Sequence, residues 1–94
     1  MALGMYFSPS SFTPERYDEV NSRLEAIGAG TPPGRLYHIA LETGGLIQVF
    51  DIWESAESFQ AFGATLVPVF AELGVDPGEP RVSPIHNIIV GTAA

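Results

Sequence analysis

The segment 36-LYHIALETGGLIQVFDIW-53 places a histidine and an aspartate inside two otherwise apolar runs. A carboxylate beside an imidazole favours imidazolium and fixes which ring nitrogen carries the proton. In an apolar cavity such a pair is a general base, able to take a proton from a phenol or an activated carbon. His38 is read as the base and Asp51 as its orienter. The spacing brings them together. Gly44-Gly45 is a two-residue turn signal, since both positions take positive φ without strain. Thr43 then pairs with Leu46, His38 falls opposite Asp51, Ala40 opposite Val49, and Leu36 opposite Trp53. The plainer reading of the same pair is architectural: a polar cross-strand contact worth ~0.2–1 kcal/mol that helps set register or a dimer.

Three further residues are candidates. Tyr6 could donate a hydrogen bond to a developing oxyanion as a third catalytic group, or could pack its ring and wet its hydroxyl. Trp53 is a wall of the core or of a ligand cavity. His86 is a second ligand-binding candidate, or a histidine satisfied by a backbone carbonyl. A metal site would need His38, Asp51, Glu42 and His86 to converge, and no HxxxH-type spacing supports that, so no metal is expected. No GxSxG, GxGxxG or P-loop pattern is present.

Eleven acidic residues stand against four arginines and no lysine, a formal charge of −7. Binding to nucleic acid or to an anionic membrane needs cations, so neither partner is expected. Absent lysines exclude Schiff-base chemistry, and absent cysteines exclude disulfides, thiolate nucleophiles and Cys-ligated metals. The opening MALGMYF has no basic region and no long apolar run, so the expectation is a cytoplasmic protein without a signal peptide or membrane span. The 94 residues suffice for a single domain, 1–94. A domain this small buries only about 60–65% of its unfolded surface. A hydrophobic content of 46% is generous for that interior, which points to a second apolar surface covered in a homodimer.

These residues must be held by regular elements. Residues 2–7 alternate as a first strand, with Leu3, Met5 and Phe7 on one side and Gly4 and Tyr6 on the other. Thr13-Pro14 starts a helix whose apolar stripe is Tyr17, Val20, Leu24 and Ile27, and Gly28 stops it. Residues 35–42 and 46–53 are the hairpin. Ser55 caps a second helix that buries Phe59, Phe62, Leu66, Val69 or Phe70, and Leu73, with Pro68 expected to kink or split it. Residues 82–90 read as a last strand. The order βαββαβ is the ferredoxin-like α+β unit, an antiparallel sheet with both helices on one face. Strands two and four are its edges, which would let His86 approach His38 of a partner chain. Tyr37, Ile39, Leu41, Leu46, Phe50 and Ile52 form the more apolar face of the hairpin. They are expected under the helices. His38, Asp51 and Trp53 are expected on the bare face.

The strand order, the segment FDIWESAESFQAF and the late PIHNIIVG resemble the dimeric α/β-barrel superfamily, and most closely its antibiotic-biosynthesis-monooxygenase-like branch. The resemblance covers nearly the whole chain. It implies a barrel closed by two sheets from two chains, with a cavity between sheet and helices or within the barrel. Members include cofactor-free oxygenases of aromatic polyketides, haem-degrading monooxygenases, lactone isomerases, polyketide cyclases and proteins without known activity. The haem-degrading members carry a histidine ligand on the second helix. This chain has FQAFGATL there, so haem is not expected. Two function hypotheses follow. One is a small cofactor-independent enzyme of oxygenase, isomerase or cyclase type, acting on an apolar, aromatic or polyketide-like compound. The other is a non-catalytic ligand-binding or dimerisation domain.

Overall fold

The computed structural model describes residues 2–94. Strand β1 (Leu3–Phe7) is followed by helix α1 (Pro14–Ala26), the hairpin β2 (Arg35–Thr43) and β3 (Leu46–Trp53), helix α2 (Ala56–Glu72) and strand β4 (Arg81–Pro84). The sheet runs β2-β3-β1-β4, every neighbouring pair antiparallel. This is the ferredoxin-like α+β order read from the sequence.

Local chemistry sets the element ends. The Thr13 hydroxyl accepts from the Arg16 backbone N–H at 3.3 Å, with Pro14 opening α1. The Ser55 hydroxyl accepts from the Ser58 N–H at 3.2 Å and starts α2. Both satisfy helix N–H groups that have no carbonyl partner. Pro68 does not split α2, which runs unbroken through it. Its ring costs one backbone bond near the C-terminal end. The buried side chains Val69 and Phe70 tie the last turns to the core regardless.

The hairpin turn has φ of +62° at Gly44 and +80° at Gly45, the paired left-handed conformation that matches strand twist. From it the register runs Thr43↔Leu46, Ala40↔Val49 and His38↔Asp51, as the turn predicts. The expected Leu36↔Trp53 pair does not form. A bulge between Arg35 and Tyr37 puts Arg35 opposite Trp53 instead. Strand four is also shorter than expected. It spans Arg81–Pro84, and residues 85–94 carry no strand pairing, although the Ile85 N–H donates to the Ala2 carbonyl at 2.9 Å.

The two faces of the hairpin are the reverse of the expectation. Ile47, Val49, Asp51 and Trp53 are buried under the helices, packed with Met5, Phe12, Val20, Leu24, Phe62 and Phe70. Tyr37, Ile39 and Leu41 lie on the bare face and are 41%, 48% and 52% exposed. Apolar content misassigned the faces because it presumes that the uncovered side is wet. Here the uncovered side is the more apolar of the two. The sorting of β1 does hold: Met5 pairs with Asp51 and goes to the helices, and Tyr6 pairs with Phe50 on the bare side.

Candidate functional site

His38 comes from edge strand β2 and Asp51 from central strand β3, at one register position of the hairpin. Both point into the space between sheet and helices. The His38 Nδ1 lies 2.6 Å from Asp51 Oδ1. An ionised carboxylate can only accept, so Nδ1 carries the proton and donates. The other oxygen, Oδ2, accepts from the Trp53 indole N–H at 3.3 Å. Trp53 is 0% exposed and clamped edge-on by Phe59, with ring centroids 5.6 Å apart. A rigid indole thus fixes the carboxylate, and the carboxylate fixes the imidazole.

The second imidazole nitrogen has its own partner. Tyr17, from the first turn of α1, places its hydroxyl 2.7 Å from His38 Nε2, with the two rings within 4° of parallel. In the neutral ring Nε2 has no proton, so the phenol donates. The result is a four-residue chain from Tyr17 through His38 and Asp51 to Trp53. Its logic is that of a hydroxyl, an imidazole and an orienting carboxylate in line.

Sequence reasoning missed Tyr17. It was one apolar member of a helical stripe in the first turn after Thr13-Pro14, and nothing in that spacing marked its hydroxyl as facing β2. Tyr17→Phe removes the proton at the end of this chain without touching the Asp51–His38 bond. It is expected to lower stability by about 1 kcal/mol, measured by urea unfolding, with an unchanged amide NMR fold signature.

Tyr17, His38 and Asp51 line a narrow cleft that offers about 50 Å³ to water-sized groups, and about 550 Å³ when all the open space out to solvent at its mouth is counted. Its wall is mostly apolar, with five phenylalanines, and its remaining polar side chains are Asn21 and Arg35. The few convergent polar groups on an apolar wall suit a small, largely apolar ligand.

The other sequence candidates lie elsewhere. Tyr6 is exposed on the bare face, across the sheet from the pair, and borders a shallow depression with Arg81. His86 is exposed on the segment after β4. Neither shares the cleft with His38 within one chain. Trp53 sits behind Asp51 rather than on the cleft wall, where its indole N–H holds the carboxylate. Among the described residues no group of three or more His, Cys, Asp or Glu side chains could hold a metal ion. Among the same residues no helix is long and apolar enough to cross a membrane.

No protein-family model matches the chain, and no curated protein matches it. Solved structures do. A candidate antibiotic biosynthesis monooxygenase from Chloroflexus aurantiacus J-10-fl aligns with a TM-score of 0.64 at 19% identity, over 97% of this chain and 100% of that one. SnoaB, a cofactor-independent oxygenase from Streptomyces nogalater, aligns with a TM-score of 0.61 at 18% identity, over 94% of both chains. NE2512, a protein of unknown function from Nitrosomonas europaea, aligns with a TM-score of 0.55 at 14% identity, over 99% of this chain and 93% of that one. The fold is therefore that of the antibiotic-biosynthesis-monooxygenase-like proteins, as the sequence resemblance implied. At these identities the likeness extends to fold alone.

Proposed function

We propose that the protein is a small cofactor-independent enzyme that moves a proton on an apolar phenolic or enolisable aromatic compound. The observation that carries this reading is the hydrogen-bonded chain Tyr17–His38–Asp51 on the wall of an apolar cleft. Tyr17 takes a proton from the substrate O–H or C–H as its own proton passes to His38 Nε2. Asp51 stabilises the imidazolium that forms. The resulting carbanion or phenolate then reacts with dioxygen, is reprotonated elsewhere or closes a ring, which are the oxygenase, isomerase and cyclase outcomes. The fold shared with a cofactor-independent oxygenase adds support of an associational kind.

The rival reading is a non-catalytic ligand-binding or dimerisation domain. It is favoured by one observation: among the described residues no buried side-chain nitrogen or oxygen lacks a hydrogen-bond partner. Solvent-deuterium incorporation separates the two. Polycyclic phenolic ketones are incubated with the protein in D₂O and followed by NMR and by an oxygen electrode. An enzyme speeds exchange at the acidic carbon, and Tyr17→Phe slows it. A binding domain leaves exchange at the buffer rate.

The apolar bare face supports a homodimer through the sheet. Leu36, Tyr37, Ile39 and Leu41 form an exposed apolar strip on one strand, more than a solvated β-surface needs. Ile39→Glu would bury a charge in such an interface. It is expected to raise the dimer dissociation constant by about a hundredfold or more, read by sedimentation equilibrium. A monomeric wild-type protein would contradict the dimer.

A further inference from the structure

The bulge in β2 has a chemical consequence. With regular pairing Leu36 would stand opposite Trp53 and face the helices. The bulge sends Leu36 to the exposed side and turns Arg35 inward, onto the cleft wall. Bulges recur where a strand must re-aim one side chain. Here an apolar residue is exchanged for a cation in a mostly apolar cleft.

Arg35 is the one arginine on that wall, and the other basic group there, His38, is already held by Asp51 and Tyr17. Its guanidinium stands 5.7 Å from the Phe62 ring centroid, and one nitrogen donates to the Gly30 carbonyl at 3.2 Å. Among the described residues those contacts leave most of its five donors without a protein acceptor. Among the described residues no carboxylate lies within 4 Å of it; the ion pairs are made by Arg23 and His38. Asp51, the one acid in the cleft, is already taken by His38 and Trp53. In a chain with eleven acids, an arginine held half-buried without one is an open anion receptor.

We propose that Arg35 is the anion subsite of the cleft, and that its ligand is an aromatic compound carrying one carboxylate or equally acidic oxygen. This rests on the reading of the cleft as a substrate site, and it names the substrate class. The acidic group sits at the guanidinium, and the aromatic body lies among the phenylalanines. The reacting position reaches Tyr17 and His38, three residues further along β2. The bulge leaves the two positions only two register steps apart, Trp53 to Asp51 on the facing strand, roughly 7 Å, the reach of a compound of one or two fused rings. The net charge of −7 repels anions generally, so Arg35 decides which end of the ligand enters.

The test compares 2-naphthoate with 2-naphthamide, of the same shape but uncharged, by calorimetry at low salt. NMR shifts of Leu24 and Phe62 report whether the cleft is occupied. Wild-type protein is expected to bind the acid about tenfold or more tightly than the amide. Arg35→Gln should erase the preference, and Arg35→Lys should keep part of it. If Arg35→Gln does not fold, the wild-type and lysine comparisons still decide. Equal binding of acid and amide in the cleft would overturn the anion subsite and leave the cleft as a ligand site. Failure of both compounds to shift Leu24 and Phe62 would overturn both readings.

Discussion

His38→Ala is expected to lower kcat/KM for the proton transfer by about 10²–10⁴-fold. In the proposed relay the imidazole is the group that takes up the Tyr17 proton and holds it as imidazolium beside Asp51. Tyr17 on one side and Asp51 on the other depend on it. The loss of stability should be modest, about 1–2 kcal/mol, because the ring is partly exposed and water can take its place beside Asp51. Added imidazole supplies the control. It fits the space the substitution leaves and should restore part of the rate, which a purely architectural role for His38 would not allow.

Asp51→Ala is expected to have the largest effect on stability. It strips the acceptor from two donors at once, the His38 Nδ1–H and the buried Trp53 N–H. The cost is about 3 kcal/mol. For a domain of this size that corresponds to a fall in melting temperature of roughly 12–24 °C, measurable by circular dichroism. Asp51→Asn should cost less but disturb the chemistry more. An amide offers one accepting atom where the carboxylate offers two. Either Trp53 or His38 then faces an N–H. In the second case the imidazole proton moves to Nε2, and Tyr17 loses its acceptor. Activity falls while the fold persists.

Much of the frame was legible in the sequence because local chemistry controls it. Thr13, Ser55 and the Gly44-Gly45 turn act within a few residues, and each does what its side chain or its freedom at φ requires. The turn alone fixes His38 opposite Asp51. The face on which that pair lies was not legible. It depends on how β1 meets β3, where Met5 pairs with Asp51 across more than forty residues of chain. The hydrophobic count of the hairpin pointed the wrong way, since the polar pair faces a cleft and the apolar strip faces outward. Tyr17 escaped for a related reason. Its stripe of spacing partners is apolar, and only the tertiary approach of α1 to β2 turns its hydroxyl to His38. The Arg35 bulge has no sequence signal at all, since neither glycine nor proline marks it between Arg35 and Tyr37.

The ring nitrogens of His38, observed by ¹⁵N NMR before and after addition of an aromatic acid, probe the relay most directly. The expected spectrum of the neutral ring shows a protonated Nδ1 and a bare, hydrogen-bonded Nε2, with Nε2 moving when the ligand enters and when Tyr17 becomes phenylalanine. A proton resident on Nε2, or a resonance indifferent to both ligand and substitution, would contradict a Tyr17–His38–Asp51 proton path.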